Sequence, residues 1–199
     1  MTRSFFQTAI ALVLLNTLVQ LGWIIIVHNP SWIGYNSYIL LLIIAVVVLI
    51  YTASSIFKAI YFYQLKHYVS LVISGIMILG YAVLLLTFYQ IIKANVEPSF
   101  YLIVYYAHLG ISAVYALSLV ADKHKDKNLR RIGFLILLFS VSDFMVELAL
   151  RESYPMLTQK LNIALGVVAS LFIPIFWVLL FRGKMKETHQ SNDQLLDTL

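Results

Sequence analysis

An all-α, polytopic transmembrane bundle of six helices is the fold class this chain predicts, on three observations. The 199 residues are 61% hydrophobic and 12% charged, against roughly 45–50% and about 25% in soluble domains, and the mean hydropathy is +0.88. Six apolar stretches each reach the roughly 20 residues that cross a bilayer as a helix. Lys and Arg are abundant in alternate loops and scarce in the others, as expected when basic loops stay cytoplasmic. Too little polar surface remains to cover these stretches as the core of a water-soluble protein.

The helices are placed at 5–27, 36–57, 69–92, 100–120, 132–150 and 161–181, in one domain over 1–185. Residues 186–199 read as a polar, mobile cytoplasmic tail. The first stretch follows Arg3 but is too long for a signal-peptide core, and no small-x-small cleavage site follows it, so it reads as a retained helix. Lys58 and Lys66 fall between helices two and three; Lys123, Lys125, Lys127, Arg130 and Arg131 between four and five; Arg182, Lys184 and Lys186 after helix six. The opposite loops hold only Lys93, Arg151 and Lys160. Both termini are therefore expected in the cytoplasm, which agrees with an even helix count. Trp23, Trp32, Tyr35 and Tyr38 sit where an outer aromatic belt belongs. Size and loop charge suit a bacterial inner membrane.

The helices recur about every 64 residues, and Tyr51 and Ser54 align with Tyr115 and Ser118 at that offset. Evenly spaced helices account for this without duplication. Glycines such as Gly75, Gly80, Gly110 and Gly166, with Ser170, read as close-packing positions. Pro174 reads as a kink in helix six.

Two carboxylates interrupt the fifth stretch, at Asp143 and Glu147 in SVSDFMVEL. A charge at the bilayer centre costs about 2.5–3.5 kcal/mol on insertion scales, so such groups face other helices or a wet cavity. At 1.5 Å per residue, Asp143 and His108 both lie about 12 Å below the outer edge, and Glu147 about 6 Å below it. An Asp143–His108 contact between helices four and five is therefore expected. Tyr101, Tyr105, His108, Ser112 and Tyr115 form one helical stripe; Ser140, Asp143 and Glu147 form another. Asn16 and Gln20 of helix one and Tyr81 of helix three lie at similar depth. Asp143, Glu147 and His108 are the candidate catalytic groups, and Tyr81, Tyr105, Ser112, Ser140, Asn16 and Gln20 the candidate binding groups. The bland alternatives are an interfacial Glu147–Arg151 pair, a protonated structural Asp143, and a hydrogen-bonded packing role for His108.

Other chemistry lacks a signature. The chain has no cysteine, hence no disulfide, thiolate metal site or thiol nucleophile. It has no Walker loop, dinucleotide fingerprint or H-E-x-x-H motif. His108–Asp143–Glu147 has suitable ligand types for a metal but no motif spacing, so no metal or cofactor is expected. No basic run interleaved with aromatics suggests nucleic acid. Membrane lipids are the expected partners, with self-association or another membrane subunit open.

The stretch GFLILLFSVSDFMVEL, residues 133–148, resembles the late-helix motif of the YhhN family of lysoplasmalogenase-like membrane proteins. Gly133, Phe139, Ser142 and Asp143 match it; Pro155 falls near a family proline, and His108 could fill the position of a family histidine. The family's early aspartate is Tyr81 here, and its eight helices are six. The resemblance implies hydrolysis of the vinyl-ether bond of lysoplasmalogens, or a related lipid activity, with Asp143 as an active-site acid. The alternatives are a small proton-coupled permease using Asp143 and His108, and a non-catalytic structural or assembly subunit.

Overall fold

The computed structural model describes residues 1–28, 37–92, 98–121 and 126–196. Six helices account for nearly all of them: α1 (Arg3–His28), α2 (Ser37–Gln64), α3 (Tyr68–Ile92), α4 (Pro98–Val120), α5 (Lys127–Leu150) and α6 (Pro155–Leu196). Each is long and apolar enough to cross a membrane, which is compatible with an integral membrane protein. In hydrocarbon no water meets the backbone, and a helix satisfies its own N–H and C=O groups. The outward faces are apolar as well: Leu18, Leu42, Leu49, Leu79 and Leu148 are all exposed. On a soluble protein such a surface would aggregate; against lipid it is the solvated one.

The helices form a closed ring. Each packs on the next in sequence and α6 closes on α1, while no other pair of helix backbones comes close among the described residues. Two buried clusters show that successive helices run antiparallel. At one end Phe6 of α1, Tyr61 and Phe62 of α2, Tyr115 and Leu119 of α4, Leu129 and Ile132 of α5, and Trp177 and Phe181 of α6 pack together. At the other end Leu40, Ile44 and Val47 of α2 meet Leu85 and Tyr89 of α3, with Val19 and Trp23 of α1 against them. Arg3, Lys66, Lys127, Arg130, Arg131 and Arg182 lie by the first cluster in sequence, so this is the basic end.

Aromatic side chains cross the lumen at the basic end. Phe62 meets Tyr115 edge-on at 6.2 Å and Trp177 at 5.9 Å, and Tyr61 meets Phe181 at 5.6 Å. These pairs join α2 to α4 and α2 to α6, which are not neighbours around the ring. The rings therefore plug the lumen.

Several boundaries differ from the sequence expectation. α2 continues to Gln64, because IFKAIYFYQ remains apolar enough to stay helical, and Lys58 lies inside it rather than in a loop. α6 runs on to Leu196, so residues 186–196, expected as a mobile tail, are helical. Asp126 caps α5: its Oδ1 accepts from the backbone N–H of Asn128 at 2.9 Å and of Leu129 at 3.3 Å. Its Oδ2 lies 3.9 Å from Lys184 Nζ, tying α6 to the start of α5. Between α2 and α3, Lys66 takes a left-handed φ of 56°. The N–H groups of His67 and Lys66 donate to the carbonyls of Phe62 (2.8 Å) and Tyr63 (3.0 Å), the paired bonds of a Schellman helix end.

Of the glycines expected to pack closely, Gly80 and Gly166 do face a neighbouring helix, where a Cβ would lie 3.4 Å from His108 Nδ1 and 3.5 Å from Ile24 Cδ1, but the tightest contact is at a glycine not among them. A Cβ on Gly75 or Gly110 would meet nothing within 4 Å. On Gly133 it would lie 2.6 Å from the Ala116 carbonyl oxygen, 2.8 Å from Leu119 Cβ and 2.9 Å from Val120 N. α4 and α5 touch backbone to backbone there. Trp32, Tyr35, Lys93, Lys123 and Lys125 lie outside the described residues, as does the side chain of Tyr101.

Candidate functional site

The lumen holds a central cavity of about 210 Å³ above the aromatic plug. Every helix contributes to its wall: Asn16 and Gln20 from α1, Lys58 from α2, Ser74 from α3, Tyr115 from α4, Ile136 from α5 and Ser170 from α6. Tyr51 and Ser55 share the α2 face of Lys58. One water needs roughly 10–15 Å³ of such space, so the cavity has room for many waters or a small solute.

Lys58 dominates its electrostatics. Its Nζ lies 5.2 Å from the centroid of the Trp177 ring, and among the described residues it has no ion pair. A buried ion pays several kcal/mol in lost hydration, and a cation–π contact returns at most about 2 kcal/mol. The remainder must come from cavity water or from an anion. Pro174 also lines the cavity. Having no N–H, it leaves the Ser170 carbonyl without its helical donor, which adds an acceptor to the same wall. The amide oxygen of buried Asn16 has no hydrogen-bond partner.

A second cavity, of about 230 Å³, lies toward the far end between α4, α5 and α6. Ser112, Ser140, Asp143 and Asn162 give it polarity, and Ile136, Ala169 and Ile173 wall both cavities. Tyr105 Oη donates a hydrogen bond to Asp143 Oδ2. Glu147, one turn on, accepts from Asn162 Nδ2 at 2.8 Å and lies 3.7 Å from Arg151 Nη1. The interfacial Glu147–Arg151 pair is therefore present, with Asn162 as an additional partner.

The expected Asp143–His108 contact is not formed. His108 turns toward α3: its ring lies 6.1 Å from that of Tyr81, and its Nδ1 would be 3.4 Å from a Cβ on Gly80. That nitrogen has no hydrogen-bond partner. The reason is angular. At about 100° per residue, Tyr105 and Ser112 point within about 20° of each other, whereas His108 is turned about 60° from Tyr105 and about 40° from Ser112. In a ring, that rotation is enough to face α3 instead of α5. Tyr81 likewise serves a packing layer, its ring 4.2 Å from Tyr51.

The sequence candidates thus separate into three places. Asn16 and Gln20 line the central cavity, Asp143, Tyr105, Ser112 and Ser140 belong to the second, and His108 with Tyr81 packs between α3 and α4. Glu147 sits just beyond Asp143 with Asn162. Sequence reasoning missed Lys58, Trp177 and Asn162. A signal for Lys58 existed: Tyr51, Ser55, Lys58 and Phe62 step by four, three and four, the same stripe arithmetic that found Tyr105 and Ser112. Among the described residues no three His, Asp or Glu side chains come together to hold a metal ion. No family model, curated protein or solved structure matches the chain, so the likeness of residues 133–148 to the YhhN motif rests on those residues alone.

Proposed function

We propose that this chain is a small membrane permease that passes a polar solute along the lumen of its helix ring. The observation that carries this reading is a cavity on the ring axis to which all six helices contribute, with Lys58, Asn16, Gln20 and three serines set in a largely apolar wall. A purely structural bundle gains nothing from such a space, since atoms lining a void have no dispersion partner on that side. Ionisable groups within spans mark solute and proton pathways, and here they stand at two levels: Lys58 in the central cavity and Asp143 in the adjoining one. Asp143, held by Tyr105, is the group beside the path for a coupled proton. The aromatic plug of Phe62, Tyr115 and Trp177 closes the basic end, which the positive-inside rule assigns to the cytoplasm.

The chain's lack of cysteine makes the reading directly testable. In proteoliposomes, the purified protein should pass some member of a panel of small carboxylates, amines and polyols faster than protein-free vesicles. A Ser170→Cys variant should lose that flux once modified by a hydrophilic thiol reagent, and lipid-facing Leu79→Cys should keep it. No flux for any member of the panel, or flux indifferent to modification at Ser170, would overturn the reading.

The lipid-directed alternative retains one favourable observation, a cavity-lining Asp143 that accepts a hydrogen bond from Tyr105. It has lost His108 as a partner, and Glu147 is engaged with Asn162 and Arg151. It requires release of a fatty aldehyde from lysoplasmalogen by the purified protein, and loss of that release in Asp143→Asn.

A further inference from the structure

Lys58 and Asn16 converge on the central cavity from opposite directions. Counting from the basic ends of their helices, Lys58 stands about 9 Å and Asn16 about 20 Å along the axis. Helical side chains lean toward their own N-terminus. Because α1 and α2 are antiparallel, the Lys58 side chain leans toward the far end and that of Asn16 toward the basic end. The two leans narrow the roughly 11 Å axial offset between their helix positions. The two side chains ask for different chemistry. Lys58 offers ammonium donors with no carboxylate facing them, and Asn16 holds an acceptor with no donor. The wall between carries Met77, Ile136 and Ile173, which suits methylene groups.

We propose that the central cavity binds a small ω-hydroxy carboxylate, its carboxylate on Lys58 above the Trp177 ring and its hydroxyl on Asn16. The proposal rests on the permease reading and names its solute class. Inorganic anions would engage Lys58 and leave Asn16 unmet, and neutral diols would do the reverse.

Trp177 is the natural reporter, since it lines the cavity and the chain's other two tryptophans, Trp23 and Trp32, can be replaced. In the full-length Trp23→Phe/Trp32→Phe protein, 4-hydroxybutyrate should produce a saturable change in Trp177 fluorescence. Butyrate should bind more weakly, and 1,4-butanediol and chloride weaker still. Lys58→Met should weaken 4-hydroxybutyrate roughly tenfold or more, the scale of a lost charge-assisted hydrogen bond, and Lys58→Arg should restore part of it. Asn16→Leu should bring 4-hydroxybutyrate down to butyrate, a second test should Lys58→Met fail to fold. The proposal is overturned if no carboxylate gives a saturable change, if butanediol or chloride matches 4-hydroxybutyrate, or if Lys58→Met and Asn16→Leu both bind as the parent does. Binding without flux in vesicles would uphold this site and remove the permease reading. Flux of an uncharged solute without carboxylate binding would do the opposite.

Discussion

Gly133→Ala should destabilise the ring at its tightest seam. The added methyl would sit 2.8 Å from Leu119 Cβ and 2.6 Å from the Ala116 carbonyl oxygen. Carbon atoms in contact rest at about 3.5–4.0 Å, so α5 must retreat by roughly 0.7–1.2 Å. Two of the three atoms it meets are backbone and cannot rotate aside. Overpacking of this kind costs about 1–3 kcal/mol. For a chain of this length, at about 2–4 °C per kcal/mol, that is a fall in Tm of about 2–12 °C. Gly110→Ala is the matched control on the facing helix, because its Cβ would meet nothing. It should hold or raise the Tm, since Ala exceeds Gly in helix propensity by up to about 1 kcal/mol. The assay is thermal unfolding in detergent, followed by loss of the monodisperse peak in size-exclusion chromatography. If Gly133→Ala melts at or above the parent, alongside Gly110→Ala, the backbone contact between α4 and α5 is wrong.

Lys66→Gly should stabilise the α2–α3 turn. A non-glycine residue in the left-handed region costs about 1–2 kcal/mol, offset by about 0.5–1 kcal/mol for glycine's freer unfolded state, so the Tm should rise by a few degrees; a fall would refute the assigned φ. Asn162→Ala should cost about 1.5–3 kcal/mol by removing a hydrogen bond to a carboxylate. Repeating it in a Glu147→Gln background should shrink the loss, and a double-mutant coupling indistinguishable from zero would show that the two side chains do not meet.

The number of helices was legible because hydropathy reports the solvent, and lipid sets one length for every span. The alternation of basic loops was legible for the same reason, and among the described residues Arg3, Lys66, Lys127, Arg130, Arg131 and Arg182 lie at one end of the ring. What hydropathy does not report is azimuth. Tyr105 was correctly aimed at α5, and His108, three residues on, was not, because the step of about 60° that separates them matters only once α4 has a neighbour on each side. Lys58 was hidden by the rule that makes topology readable. A lysine near a helix end looks like a loop marker, and only the ring turns this one inward. Gly133 drew notice as part of a motif, whereas its contact with Ala116 and Leu119 depends on a backbone separation that no sequence pattern encodes.

The contact between α1 and α6 carries a consequence for how this protein is made. Of the six described helices, α1 is made before the other five and is completed by α6. Until α6 arrives, the amides of Asn16 and Gln20 border an unsealed groove rather than an enclosed space, and Lys58 lacks the indole beneath it. Without α6, helices α1 to α5 form an open arc that leaves Asn16, Gln20 and Lys58 uncovered on one side, and α6 shuts it.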